Sequence, residues 1–169
     1  MTTPALSTAQ QDTLKAHILA TPDLLATNGD LDALRILLNS DAAPDFFVWK
    51  TSVALDEIQA NGFDWVRVDN LSVGKARIWE WLFKNAQTSI NPAKTNVRSG
   101  IIETWKGTAQ DLAVRLVVLQ HCQRKCSRME RLFATGTGSA TNDQGVGPGD
   151  LVVAGPVTFN DLVALNLSF

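Results

Sequence analysis

The sequence predicts a mainly α-helical fold, a small bundle of about five helices followed by a glycine-rich loop and a short β or apolar C-terminal arm. Two observations predict it. Apolar residues recur at spacings of three and four, which places them along one side of a helix, and residues able to cap a helix precede most of these runs. We therefore expect a helical body over residues 1–134, with a flexible loop and docking arm, not an independent domain, over 135–169.

Local start and stop signals define the first elements. A capping-box pattern begins at Ser7 and a proline follows the apolar run, which together predict a helix over about 8–20. Asp30 is a good N-cap for a second, short helix. An apolar cluster without clear period at 46–49 predicts a short strand or a buried crossing, and an Asn-Gly pair at 61–62 ends a third helix.

The segment SVGKARIWEWLFKN predicts a helix that is apolar over much of its circumference. Its apolar residues are Ala76, Trp79, Leu82 and Phe83 on one face, with Ile78 and Trp81 widening that face. Such a helix lies either at the centre of a core or against another subunit. We expect core packing, with a subunit contact as the alternative.

The clearest helical period runs from about residue 109 to 133 and predicts the longest helix. Its apolar stripe consists of Leu112, Leu116, Leu119, Cys122, Cys126, Met129 and Phe133. The opposite side is basic and carries Arg124, Arg128 and Arg131, with Lys125 near the boundary. We expect this basic face to be solvated or to form an ion-pair surface with another subunit, and binding of DNA phosphates is the alternative.

The glycine-rich stretch that follows Phe133 has no apolar period, which predicts a mobile loop or one that a partner orders. The last segment, DLVVAGPVTFNDLVALNLSF, predicts a short strand, a Gly-Pro turn and a final helix capped by Thr158. Because a tail this apolar must dock somewhere, we expect a docking arm. Its contact residues are predicted to be Leu151, Val152, Val153, Val157, Phe159, Leu162 and Phe169.

The charges are sorted along the chain, although the net charge is only −2. Residues 1–64 carry nine acids and three bases, residues 65–134 five acids and twelve bases, and residues 135–169 three acids and no base. The corresponding net charges are −6, +7 and −3. Such asymmetry favours contacts with an acidic partner or with the acidic parts of another copy.

Residues with catalytic or ligating chemistry are sparse. The two cysteines lie on the predicted apolar stripe, and free cysteine is commonly a buried apolar residue. The glycine-rich loop contains no lysine and follows a helix, unlike a phosphate-binding loop. His121 and Cys122 are neighbours in a predicted helix and diverge by about 100°. We therefore expect no cofactor, no metal and no enzyme, with a metal or thiol enzyme at His121, Cys122 and Cys126 as an alternative.

The composition is that of a globular protein, with 45% hydrophobic and 19% charged residues in a chain of 169. The N-terminus lacks a basic region followed by an apolar run, and no stretch approaches the roughly 20 apolar residues that span a bilayer. We expect a protein that is not exported and has no membrane partner.

Four phrases, APDFFVWKTSV, LSVGKARIWEWLF, INPAKTNVRSGI and MERLFATGTG, are found in this order along nearly the whole chain. Together they resemble a family of small proteins encoded among the structural genes of tailed bacteriophages. The resemblance implies a helical neck component of the virion, a head-to-tail connector or adaptor that joins a ring beneath the portal and continues the DNA channel. It assigns no role to any single residue.

The partners implied by this resemblance are copies of the chain in a ring, the portal protein, a neighbouring neck or tail protein, and passing DNA without sequence specificity. The protein would be assembled into virions in the cytoplasm of the host bacterium. A small DNA-binding module and another phage head-completion or tail protein are the alternatives.

Overall fold

The structure is a computed structural model that describes residues 6–59, 63–84 and 89–168. Within these ranges the secondary structure is mainly α-helix, which confirms the predicted fold class. The ten helices in the described ranges are α1 (Thr8–Ala20), α2 (Pro22–Leu25), α3 (Leu31–Asn39), α4 (Leu55–Ile58), α5 (Trp65–Asp69), α6 (Val73–Lys84), α7 (Thr95–Thr104), α8 (Ala109–His121), α9 (Arg128–Phe133) and α10 (Phe159–Ala164). They are more numerous and shorter than the predicted bundle of about five.

Short strands connect some of the helices. The strands among the described residues are β1 (Phe47–Trp49), β2 (Val53–Ala54), β3 (Ser89–Ile90), β4 (Gln123–Lys125), β5 (Ala134–Thr135) and β6 (Asp150–Leu151). β1 confirms the short strand expected in the apolar cluster. β2 pairs with β3 in antiparallel register, with Val53 opposite Ile90. The Asn61-Gly62 helix end predicted from the sequence lies outside the described residues.

Capping side chains begin several helices where the sequence predicts them. Ser7 forms a capping box at the start of α1, and Thr158 forms one at the start of α10. The Asp30 carboxylate accepts hydrogen bonds from two amides in the first turn of α3. Each side chain satisfies backbone amides that have no partner within the helix, so these starts are decided locally.

The described residues form two compact bodies. The first, which we call the leucine body, comprises the described residues within 1–46, 125–135 and 151–169. Its buried core consists of Leu6, Leu14, Ile18, Leu24, Leu34, Leu38, Met129, Val153, Val157, Leu162 and Leu165. The Asn39 side-chain amide holds the segment 151–169 in place. It both donates to and accepts from the backbone of Val157, each time at 2.9 Å.

The second, which we call the aromatic body, comprises the described residues within 47–124 and 136–150. Its buried core consists of Trp49, Val53, Ile58, Phe63, Trp79, Phe83, Ile90, Ile101, Trp105, Val114, Val118, Leu119 and Cys122. The rings of Trp79 and Trp105 pack edge to face with centroids 5.3 Å apart, and Phe63 contacts both. Such ring pairs add to the stabilisation from burial alone.

The single helix predicted over 109–133 is wrong. α8 ends at His121, β4 follows, and a capping box at Ser127 begins α9. The Cys122 carbonyl accepts a hydrogen bond from the Lys50 amide at 2.9 Å. The Cys126 amide donates to the Phe46 carbonyl, also at 2.9 Å. These backbone groups bond to distant segments and not along a helix, which interrupts it although the apolar period continues.

The buried side of α8 also differs from the prediction. Val114, Val118 and Leu119 are buried, whereas Leu112 and Leu116 are only half-buried. α8 additionally buries Arg115, whose guanidinium donates to the Asp143 carboxylate at 3.0 Å. Because valine and leucine alternate along this helix, the sequence allows two overlapping apolar stripes. Packing in the aromatic body buries the stripe that contains Val114 and Val118.

The glycine-rich loop has contacts of its own, where the sequence predicts a mobile or partner-ordered segment. The Asn142 side-chain oxygen accepts from the amides of Gln144 and Val146. Gly147 has a φ of +127°, and a Cβ there would lie 2.5 Å from the Ala140 carbonyl oxygen. The turn therefore requires glycine at this position.

Candidate functional site

The predicted basic residues do not form one helical face. Arg124 and Lys125 lie on β4, whereas Arg128 and Arg131 lie on α9. The break in the predicted helix separates the two pairs, so their spacing no longer follows a helical period. Each of these cations therefore has its own set of contacts.

Arg128 is bound to an acidic residue that is distant in the sequence. Its guanidinium donates to both carboxylate oxygens of Asp23, at 2.6 and 3.0 Å. This hydrogen-bonded pair raises the pKa of Arg128 and lowers the pKa of Asp23, because each charged form is stabilised by the other. The two-pronged geometry suits a guanidinium and a carboxylate, and it orients Arg128 toward its own chain.

Lys125 and Arg131 also contact their own body. The Lys125 ammonium lies 2.8 Å from the Asp45 carboxylate, and the hydrogen bond that it donates to this carboxylate raises the pKa of Lys125. Arg131 donates to the carbonyl oxygens of Ala43 and Pro44 at 3.0 and 3.1 Å. These partners compete with any external phosphate for the same donors. The surface available to DNA is smaller than the sequence charge of residues 65–134 indicates.

A cavity of about 430 Å³ lies beside these arginines and is lined by His17, Ala42, Ala43, Arg128, Arg131 and Leu132. Burial lowers the pKa of His17, and the nearby Arg128 lowers it further. His17 is therefore neutral at pH 7. The cavity is polar, but its cations are already offset by Asp23 and by backbone carbonyls.

Both cysteines are buried, as the sequence predicts. Burial raises the pKa of Cys122 to about 12, so its sulfur remains a protonated thiol at neutral pH. A thiol in this state is a poor nucleophile and metal ligand. Among the described residues, no group of three or more His, Cys, Asp and Glu side chains is arranged to hold a metal ion.

The structure distributes the predicted docking residues between core and surface. Val153, Val157 and Leu162 are buried in the leucine body. Leu151 is half-buried, Val152 is 68% exposed and Phe159 is 46% exposed. Phe169 lies outside the described residues. Much of the apolar character of this segment is therefore used within its own chain, and the exposed residues are those that remain available to a partner.

A different apolar surface lies on α6. This helix buries Trp79 and Phe83 in the aromatic body, whereas Trp81 is 65% exposed. A cavity of about 440 Å³ opens along the exposed side and is lined by Gly74, Arg77, Ile78, Trp81 and Leu82. We call these five residues the α6 face. An exposed tryptophan beside a predominantly apolar cavity is typical of an interaction surface.

Trp81 was predicted to pack in the core with Trp79, although the spacing of the two residues along the helix already separates them. Residues two apart on a helix point about 200° apart, so Trp79 and Trp81 cannot both face the same core. Arg77 marks the exposed side, because it forms no hydrogen bond or ion pair with the described residues. The α6 face thus combines an apolar surface with a cation that its own chain does not engage.

No protein-family model matches the chain, and neither a curated protein nor a solved structure matches it. In the parts of the chain that the structure describes, no helix has the length and apolar character needed to cross a membrane.

Proposed function

We propose that the protein is a non-enzymatic structural component of a tailed-bacteriophage virion, a head-to-tail connector or adaptor. In this role, copies of the chain form a ring under the portal that lines or extends the DNA channel. The observation that carries the proposal is the α6 face, where Trp81 is 65% exposed beside an apolar cavity. Exposed apolar surfaces of this kind favour burial against another protein.

The sequence resemblance gives the class of assembly in which this burial would occur. A closed ring needs two different complementary surfaces on each subunit, one for each neighbour. The portal protein and a neighbouring neck or tail protein would occupy the two open sides of the ring.

The internal pairing of the basic residues supports a channel role more than a DNA-binding module. A wall that lets DNA pass must not hold its phosphates tightly. Arg128 and Lys125 are paired with Asp23 and Asp45, which reduces the number of counterions that binding to DNA would release. Contact with passing DNA would therefore be weak and independent of base sequence.

The proposal is tested by producing the chain together with the portal protein of the phage that carries its gene. We expect the chain to sediment with portal-containing particles in a density gradient, and an antibody against it to label the neck in electron micrographs. A chain that stays at the top of the gradient, with unlabelled particles, contradicts the proposal. Tight, salt-sensitive binding of duplex DNA by the free chain, lost in an Arg128→Ala/Arg131→Ala variant, would favour the DNA-binding alternative.

A further inference from the structure

We infer that the α6 face is filled by α10 of a second copy of this chain, which makes the contact between subunits heterologous. The inference deepens the proposed function and rests on it for the expectation of a ring. The contact itself follows from the shape and the charge of the two helix surfaces.

The α6 face has the form of a groove between two rows of side chains. One row is Gly74, Ile78 and Leu82, and the other contains Arg77 and Trp81, with members four residues apart in each row. Rows at this spacing form ridges along a helix, and the space between them accepts a ridge of the same spacing from another helix. At Gly74 a Cβ would meet nothing within 4 Å, so the groove is open at that end.

α10 presents one ridge of the matching kind. Its buried side consists of Leu162, followed by Leu165 at the helix end, and both belong to the core of the leucine body. On its outer side Phe159 is 46% exposed and Val163 is 54% exposed. These two residues are four apart and form a short apolar ridge. A six-residue helix presents only this one ridge, which is shorter than the α6 face and can lie within it.

Charge favours α10 as the occupant over a second α6. Arg77 is in the middle of the α6 face and forms no hydrogen bond or ion pair with the described residues. A twofold contact between two α6 faces would bring Arg77 close to its own copy, which is repulsive. The surroundings of α10 carry both signs instead. Asp161 caps the helix through Thr158, Asp32 is paired with Arg35 in the cavity beside Phe159, and Lys15 donates to the carbonyls of Leu165 and Asn166, so Arg77 would meet no like-charged copy of itself there.

This pairing has a geometric consequence. Each copy would use its α6 face toward one neighbour and its α10 ridge toward the other. A contact between two different surfaces does not close at two subunits, so it continues until the rotation per subunit completes a ring. One pair of surfaces thus accounts both for the contact between two copies and for the addition of further copies until the ring closes.

The test uses two charge variants of the full chain, Trp81→Glu and Phe159→Glu. Light scattering after size-exclusion chromatography should show assemblies of several copies for the unaltered chain and monomers for each variant alone. An equimolar mixture should form a dimer and stop there, because each copy then retains only one usable surface. Val146→Glu is the matched control, since Val146 is also exposed and should retain assembly.

A second variant probes the groove without removing an apolar side chain. Gly74→Leu would fill the open end of the groove and meet no atoms of its own chain near the Cβ. We expect the dissociation constant for self-association to rise at least tenfold. Resistance to denaturant should be unchanged or higher, because the variant replaces a glycine within a helix. Unchanged self-association in Gly74→Leu would contradict occupancy of the groove.

Other outcomes separate this inference from the proposed function. An unaltered chain that stays monomeric at all concentrations, a Phe159→Glu variant that assembles normally, or a mixture that forms no dimer overturns the pairing of α6 with α10. If the protein nevertheless sediments with portal-containing particles, the proposed function stands with a different subunit contact. If the unaltered chain assembles and the mixed variants form a dimer, but the protein never associates with particles, the pairing of α6 with α10 stands and the proposed virion role is wrong.

Discussion

The leucine body and the aromatic body differ in how many of their cations and large apolar side chains are engaged within the chain. The leucine body has an aliphatic core drawn from three separate stretches of chain, and its cations Arg128 and Lys125 are paired with carboxylates. The aromatic body has a core built around Trp79 and Trp105, yet it leaves Trp81 exposed and Arg77 without a partner among the described residues.

Residue type alone therefore does not identify a functional surface. Arginines on α9 are the most obvious basic residues in the sequence, but their donors are occupied by groups such as the Asp23 carboxylate. Arg77 is inconspicuous in the sequence, but it is available to a partner. The aromatic body is therefore the better candidate for contacts with other subunits, although the leucine body supplies the α10 ridge.

The first prediction compares a buried with an exposed tryptophan, for which we expect the largest difference in the free energy of unfolding. Trp105 is fully buried and packs against Phe63 and Trp79, so Trp105→Ala should lower the free energy of unfolding by roughly 3–5 kcal/mol. Trp81→Ala should change it by less than about 0.5 kcal/mol, as is usual for surface positions. Denaturant unfolding at concentrations where the chain is monomeric measures both. Equal losses for the two variants would mean that Trp81 is part of the core.

The second prediction asks whether the C-terminal segment belongs to the leucine body. Leu162 is buried beside core leucines, so Leu162→Ala should cost roughly 2–4 kcal/mol. The matched control is the neighbouring Val163→Ala, which should cost little because Val163 is exposed. If both variants unfold like the unaltered chain, α10 contributes no stability and the segment behaves as a free arm.

The two bodies can be followed separately in this experiment. All five tryptophans, at positions 49, 65, 79, 81 and 105, lie within the aromatic body. Tryptophan fluorescence therefore reports on that body, whereas far-ultraviolet circular dichroism reports on the helices of both. A Leu162→Ala transition that shifts by circular dichroism but not by fluorescence would show that the bodies unfold independently.

The smallest predicted effect concerns pH. Arg67 donates to the Asp111 carboxylate at 2.8 Å, and the Thr108 amide donates to it at 3.0 Å. The hydrogen bond from Arg67, followed by that from Thr108, lowers the pKa of Asp111. Because the folded-state pKa is below the unfolded value of about 3.9, this stabilisation is present above that pH. It is lost as the pH falls through the lowered pKa.

Asp111→Asn should therefore lower the free energy of unfolding by roughly 1–2 kcal/mol at pH 7, and the difference from the unaltered chain should shrink below about pH 4. Urea unfolding from pH 7 down to pH 3 measures this. Asp23→Asn is the control from the leucine body and should have a smaller effect, since the Asp23 carboxylate is more exposed than that of Asp111. A loss that stays constant across this pH range would contradict the assigned contacts.

Local signals account for what the sequence predicted correctly. The caps at Ser7, Asp30 and Thr158 and the buried cysteines were predicted because a cap or an apolar period depends on residues within a turn or two. The helix over 109–133 failed for the opposite reason. Its interruption depends on the hydrogen bond that the Lys50 amide donates to Cys122 and on the one that the Phe46 carbonyl accepts from Cys126, and both partners lie more than seventy positions away along the chain.

Local sequence is enough to predict the mainly helical class, the starts of several helices, the apolar character of α6 and the sorting of charge. These follow from short-range sterics, from backbone amides that need caps, and from simple composition. Tertiary packing determines that Trp79 faces inward while Trp81 faces outward, and that Asp23 neutralises Arg128. Both outcomes depend on which distant segments pack together, because burial and ion pairing are properties of contacts and not of residues.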